Sequence, residues 1–517
     1  QVTVAIYVFW KSWPAGGDKR LLQASILLFI IGVFKCYTKP WALKRASITS
    51  LVDSPDAKRA AKQGEADDEM DPNSLDKYVK QAKAFVQEQK NKEDIKPTGG
   101  RKIGWILRGE TLQLFVDLSS SDRGCRLSIF KYFWGLSQEK ADEGLANVFL
   151  LLYTKLKSLG VPMRSDSKAR VITAAILLTT SRLSRLLLPV VAFGLLAHFR
   201  KSQREAYMDI DTKITFAILY CTCLLEGFSM LPPGTVRDQW PEMVAQYSLV
   251  GYLARNKNHD KLMWVATMLG CRDMVDRHWC MESYLSSREI TELVLQYVKD
   301  GWEKKIQDVA SYRSFIDNRG HWALEGYEDE LGWSIKEPFD ESVLLWHIAT
   351  DFCFFSSPFS EHIRVCDFAK CRQMSNYMVY LLFVNPEMLL PGTRRNLFTT
   401  AYDELKTMQN KSKKQDPEIG FQEESKEGQP KRGCNGNFID DAWDLAQGLL
   451  KLRDDFGEEN MWEVIQGVWV EMLCFSASRC RGYLHAKALG SGGEFLSYIW
   501  LLLFYMGMET FTERLQR

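Results

Sequence analysis

The sequence has almost no net charge: 66 Lys and Arg stand against 65 Asp and Glu. That balance removes the basic footprint expected of a nucleic-acid binder. There is no C-x-x-C pair, and the C-x4-C spacing of Cys366 and Cys371 is not followed by H-x3–5-H, so no zinc finger or ribbon is spelled out. No G-x-S-x-G elbow and no phosphate-cradling glycine loop occurs, which removes the commonest hydrolase and nucleotidase templates. Long apolar–polar alternation is also missing, which argues against a sandwich or barrel of strands. No internal repeat is visible. These absences name no reaction and call for no cofactor.

Aromatic residues are plentiful, with 16 Trp, 19 Tyr and 28 Phe. At this density they favour large helix–helix contacts or membrane-interface belts. A chain of 517 residues is too long for one core and suggests about two to four domains. The 12 cysteines form no disulfide framework; Cys221, Cys223, Cys353 and Cys474 sit inside apolar helical runs, where Cys acts as a small hydrophobe. Reduced thiols and a cytosolic face for most of the chain follow.

Two regions read as membrane hairpins. Val2–Trp10 is apolar almost throughout, and Leu21–Phe34 is a run of 14 uncharged residues, extended by Lys35, Tyr37, Lys39 and Trp41 as interfacial anchors. Residues 1–43 are therefore expected to form a helical hairpin whose first arm is truncated. Residues 171–234 form the second. There Arg182 and Arg185 snorkel at the start of a span over 186–199, and Ile214–Leu231 makes another of 18 residues before Pro232-Pro233-Gly234. Glu226 lies within that last span. An acid inside a span is a functional hypothesis by default, but one turn from the interface it can also reach headgroups or a nearby Arg, and this plainer reading weighs more.

Residues 44–170 read as a soluble, partly disordered loop region, with the acidic cluster Glu65–Glu69 and a Lys- and Gln-rich stretch after it. From 238 to 517 the pattern is that of a helical domain with a disordered insert at 409–437. Cys271, His278 and Cys280 could hold a metal, but no fourth ligand has a clear spacing. Ile290–Ile306 is amphipathic, Met374–Val384 is a buried helix, and Phe495–Met508 is too short for a span and suits a core. Glu463, Gly467 and Glu471 share a seam, and Arg479, Arg481 and His485 follow them, so an internal Glu–Arg network is expected.

The centre of this domain is Glu337–Phe355. Pro338 and Asp340 give a stop-then-start signal, and Val343–Phe355 is apolar on nearly every side, as in a helix buried all round. The polar exceptions, His347, Thr350 and Asp351, are three and four residues apart and share a face. His347 and Asp351 admit two readings. They are a hydrogen-bonded pair that satisfies its own polar atoms in a core, or a base oriented by a carboxylate. Buried polar groups are most often simply satisfied, so the first reading weighs more.

Several stretches resemble a family of plant membrane proteins, abundant in grasses, that joins an N-terminal domain of unknown function (number 4220) to a C-terminal domain of unknown function (number 594). They are Phe339–Asp351, Cys371–Met378, Val470–Cys474 running on to His485-Ala486, Tyr7–Trp10 and Lys39–Leu43. The resemblance covers nearly the whole chain. It implies a chain whose N-terminal part is missing, and it implies no activity, cofactor or catalytic residue.

The expected fold is all-α: a helical membrane region plus a mostly α-helical soluble C-terminal domain. The leading function is a membrane-anchored interaction or scaffold protein whose partners are the bilayer and other proteins, not nucleic acid. The alternatives are a hydrolase or transferase using His347 and Asp351, and a transporter or channel subunit around Glu226. With four spans, 38–185 and 232–517 share one side. That side carries more Lys and Arg near the spans, Lys35, Lys39, Lys44, Arg45, Arg182 and Arg185 among them, which places the C-terminal domain in the cytosol.

Overall fold

The computed structural model of the protein describes residues 74–90, 123–134, 244–258, 260–269, 282–284, 287–356, 365–412, 438–490 and 494–509, with single positions at 26, 194, 221 and 275. The chain divides into two compact units, one formed by 1–54 with 146–238 and the other by 55–145 with 239–517. In the first unit the described positions Ile26, Gly194 and Cys221 are helical and exposed. Among the described residues no helix is long and apolar enough to cross a membrane. The hairpins expected at 1–43 and 171–234 otherwise lie outside the described residues.

The second unit is built of helices. Among the described residues, the α-helices of nine residues or more are, in chain order, α1 (Ser74–Lys90), α2 (Arg123–Trp134), α3 (Leu249–Asn258), α4 (Asp260–Met268), α5 (Ser287–Asp300), α6 (Val309–Asp317), α7 (Phe339–Ser356), α8 (Val365–Val384), α9 (Asn396–Ser412), α10 (Phe438–Phe456), α11 (Glu458–Arg479), α12 (Gly482–Gly490) and α13 (Phe495–Tyr505). Among the described residues the strands are two of three residues each, β1 (Val244–Gln246) and β2 (Glu282–Tyr284), paired antiparallel with Ala245 opposite Ser283. The all-α expectation holds for this unit.

Helix α7 lies at the centre, packed on α8 and α10, while α11 packs on α8, α10 and α13. Its residues Val343–Asp351 are all buried, as its apolar periphery requires. At its C-terminal end the helix surfaces, and Phe355 is exposed. Asp340 stands in the first turn, where its Oδ1 accepts from the Glu341 N–H at 3.1 Å. Most of its carboxylate serves Arg394, whose backbone N–H, Nε and Nη2 each donate to it at 2.9 Å. Burial opposes the charge on Asp340, but those bonds prevail and hold its pKa below the ordinary value. Helix α6 begins with a capping box between Asp308 and Ser311, and α13 with Glu494, whose side chain accepts from the Phe495 N–H.

One region departs from its sequence reading. The Lys- and Gln-rich stretch after the acidic cluster reads as solvated, yet α1 buries Leu75, Tyr78, Val79, Ala82 and Val86 in the second unit. These positions recur at helical spacing, but the long polar residues between them dilute the signal. Helix α2 joins it through Ile129, Phe130 and Phe133, with the Phe133 ring stacked on Tyr505 at 4.1 Å. Both helices are thus part of the core that the C-terminal segments complete.

Trp346 is fully buried in α7 and donates its indole N–H to Ser334 Oγ at 3.1 Å. Replacing it by Ala removes that bond and opens a cavity, so Trp346→Ala should cost about 2–5 kcal/mol of unfolding free energy. Denaturant unfolding of the whole protein measures this, and an unchanged midpoint would contradict the burial.

Candidate functional site

Four of the buried polar centres among the described residues of the second unit bear on the candidate site, each joining segments far apart in sequence. The first surrounds His347. Its Nε2 lies 3.4 Å from the Leu249 N–H, which can only donate, so Nε2 is the accepting nitrogen. Nδ1 lies 2.8 Å from Ser375 Oγ and therefore carries the ring proton. Burial pushes the His347 pKa down, and Arg372 adds to this against the opposite pull of Asp351, so the imidazole is neutral. The Asp351 carboxylate shares a helix face with His347 but is held by Arg372, whose Nε donates to Oδ1 at 3.0 Å. Its Oδ2, 3.9 Å from His347 Nε2, accepts no hydrogen bond from a described residue.

The structure brings His347 and Asp351 together without a hydrogen bond between them. A general base oriented by a carboxylate needs that bond, and it needs a free ring nitrogen facing a reactant. Here both ring nitrogens are engaged and the side chain is enclosed. The third polar residue of the set, Thr350, receives the Trp469 indole N–H at 3.1 Å and so serves α11 rather than α8. The cluster ties α7 to α8, to α11 and to the start of α3.

The second centre is Glu471 on α11, enclosed and facing the turn at 320–326. Oε2 accepts the N–H groups of Gly320 at 2.8 Å and Trp322 at 3.3 Å, and Oε1 accepts that of Ala323 at 2.8 Å. One turn earlier Gly467 gives the turn room: a Cβ there would lie 2.8 Å from Ala323 Cβ. The seam of Glu463, Gly467 and Glu471 exists, but Glu463 at its far end is exposed. At Glu471 the expected arginine partners are replaced by backbone N–H groups. Arg479 pairs with Asp317 instead, while His485 is buried against Trp500 with Nδ1 2.9 Å from Ser497 Oγ. The turn's N–H groups, invisible in side-chain patterns, take the carboxylate because they lie directly against the seam. Burial pushes the Glu471 carboxyl up to about 7, against the pull of the three N–H donors.

Glu494 forms the third centre. It accepts from Tyr377 Oη at 2.9 Å, Tyr380 Oη at 3.3 Å and Asn385 Nδ2 at 3.0 Å, while Tyr377 Oη accepts the Leu496 N–H at 2.7 Å. Burial raises the pKa of Glu494, with these bonds opposing. The fourth centre is a carbonyl. Gly507 O accepts from Tyr312 Oη at 2.7 Å, Tyr78 Oη at 3.0 Å and Arg126 Nη2 at 3.2 Å, and the next carbonyl back, Met506 O, accepts from Trp302 Nε1 at 2.9 Å. Gly507 has φ +83°, the left-handed conformation of a helix C′ residue, and its N–H and that of Met508 close α13 on Phe504 O and Leu503 O as a Schellman motif.

Sequence reasoning singles out His347, Asp351 and Glu471 and misses Glu494, Gly507, Tyr78 and Arg126. A glycine directly after an apolar run is a helix-stop signal that marks Gly507. No local signal marks Arg126, whose partners are remote in the chain. Glu226, Cys271, His278 and Cys280 lie outside the described residues. Among the described residues no group of three or more His, Cys, Asp or Glu is placed to hold a metal ion. Cys353 and Cys474 are free and buried, Cys371 and Cys480 are buried, and burial pushes the Cys353 thiol up to about 12.

Residues 1–297 match the family model described as "Domain of unknown function (DUF4220)", and residues 454–508 match that described as "Protein of unknown function, DUF594". No curated protein and no solved structure matches the chain.

At Gly507 a Cβ would lie 2.6 Å from Tyr78 Oη in a backbone conformation that side chains disfavour. Gly507→Ala should therefore cost roughly 2–4 kcal/mol, whereas Tyr312→Phe, which deletes one donor, should cost about 1 kcal/mol. Equal, small losses in denaturant titrations would argue against the carbonyl as a junction. For Glu471 the folded state holds a proton that the unfolded chain releases near its ordinary 4.5, so stability falls as pH rises from there through about 7 and is flat above. At about 1.4 kcal/mol per pKa unit the fall is on the order of 3 kcal/mol. Glu471→Gln lowers stability overall, but its stability profile over this window should be flatter by that amount. Parallel profiles for the two proteins would refute the assignment.

Proposed function

We propose, for a chain that belongs to the DUF4220 family and carries the DUF594 region towards its C-terminal end, the role of a multi-pass membrane protein whose second unit is an interaction or scaffold module on the cytosolic face. One observation carries this reading: α1 and α2 share a core with the segments after residue 244. Tyr78 and Arg126 both reach Gly507 O. Helices α1 and α2 must therefore stand on the same side of any membrane as the core they complete. Crossings between Trp134 and Val244 then come in even numbers, as a hairpin at 171–234 supplies. A single span there would tear the core apart.

The scaffold part rests on the chemistry of the buried centres. His347, Glu471 and Glu494 spend their polar atoms on neighbouring side chains or on backbone groups, an arrangement that fixes helices in place. The greater number of Lys and Arg beside the expected spans on the side of 38–185 and 232–517 supports a cytosolic orientation. The free cysteines point the same way.

The triplet Asn410-Lys411-Ser412 is a glycosylation acceptor, and the substitution Glu93→Ser creates a second one at Asn91. Both should remain unmodified in microsomes, and the C-terminus should be open to added protease. A glycosidase-sensitive shift at both sites with a protected C-terminus would reverse the orientation. Modification at one alone would overturn the shared side.

A further inference from the structure

Helix α4 turns its apolar residues the wrong way for a packed helix. Met263 and Ala266 are buried against the unit, but Trp264, Val265, Met268 and Leu269 are 62%, 45%, 70% and 73% exposed. At about 100° per residue these four form one continuous outward stripe, and the Leu269 N–H still bonds Val265 O at 3.0 Å, so the helical turn holds to its end. Val250 on the preceding helix is exposed as well. A contiguous apolar surface of this kind marks a site of contact, not an accident of composition.

We infer that α4 is an interfacial helix that lays the stripe Trp264–Leu269 into the headgroup–acyl boundary of the bilayer. This rests on the multi-pass reading above. Three observations favour lipid over protein as the occupant. The last expected span ends at Leu231, and the chain from there to Val244 is a tether of at most about 45 Å. Residues 249–269 carry Arg255, Lys257 and Lys261 against Asp260 alone, an excess of positive charge that suits anionic headgroups. The stripe itself joins Trp, which prefers the interface, to flexible Met and Leu, which fill irregular acyl packing.

The test uses the full chain in nanodiscs of phosphatidylcholine and phosphatidylserine that contain a phosphatidylcholine with an acyl-chain diazirine. After irradiation, lipid adducts are mapped by mass spectrometry. Cleavage after Lys261 and Arg272 isolates Leu262–Arg272 as one peptide. Lipid adducts on this peptide, well above those on the peptide containing the exposed ring of Phe456, are the expected result, together with adducts on the spans. The variant Trp264→Ser, Met268→Ser, Leu269→Ser should lose them while keeping the adducts on the spans. Adducts on the spans without any on Leu262–Arg272 overturn the interfacial helix and leave the membrane reading standing. Adducts on Leu262–Arg272 without any on the spans uphold the helix and overturn the spans. Adducts on neither overturn both. A protein crosslink from this peptide to a second copy or to another segment, with no lipid adduct, overturns the inference in favour of a protein occupant.

Discussion

The second unit depends on one carbonyl oxygen. Gly507 O collects hydrogen bonds from Tyr78, Arg126 and Tyr312, residues of three separate helices. It can do so because glycine adopts the positive φ that turns the carbonyl inward as α13 ends. Phe130 packs on Trp302 at 5.1 Å and the Trp302 indole bonds the neighbouring carbonyl, so the aromatic layer and the hydrogen bonds reinforce each other. Remove the bend at Gly507 and α1, α2 and α6 lose their common anchor.

This anchor shows that the two matched family regions are not two separate folds. The first match runs to residue 297, inside α5, and the second begins at 454, near the end of α10. The compact unit takes 55–145 and 239–297 from the first region and everything after it. The division into an N-terminal and a C-terminal domain describes the sequence; the core is shared between them. Family models follow continuous sequence, whereas the packing here follows a chain that passes three times from one unit to the other.

Much of the core is legible in the sequence because burial leaves a local trace. The all-round apolar pattern of Val343–Phe355, the uncharged run beginning at Phe495 and the seam through Gly467 and Glu471 are each contained within a few helical turns. The His347 face is legible as polar, but its partners are not, because Leu249 and Ser375 lie on other elements and Arg372 competes for Asp351. The sequence puts Glu471 on the right seam with the wrong partners, since backbone N–H groups of a turn have no residue-type signature. Helix α1 reads as solvated because one buried face among many Lys and Gln residues gives a weak amphipathic signal.

The Tyr78–Gly507 bond also sets a timetable. Its two residues are 429 positions apart, so at about 5–20 residues per second a ribosome needs roughly 20–90 s to make the second after the first. For that interval the inner face of α1 has been synthesised and its final acceptor has not. The face must be held by provisional contacts or by chaperones, and truncation anywhere before residue 507 would leave it permanently without its anchor. The last turn of α13 is therefore a completion check: only a chain translated past Gly507 can close the core that α1 opened.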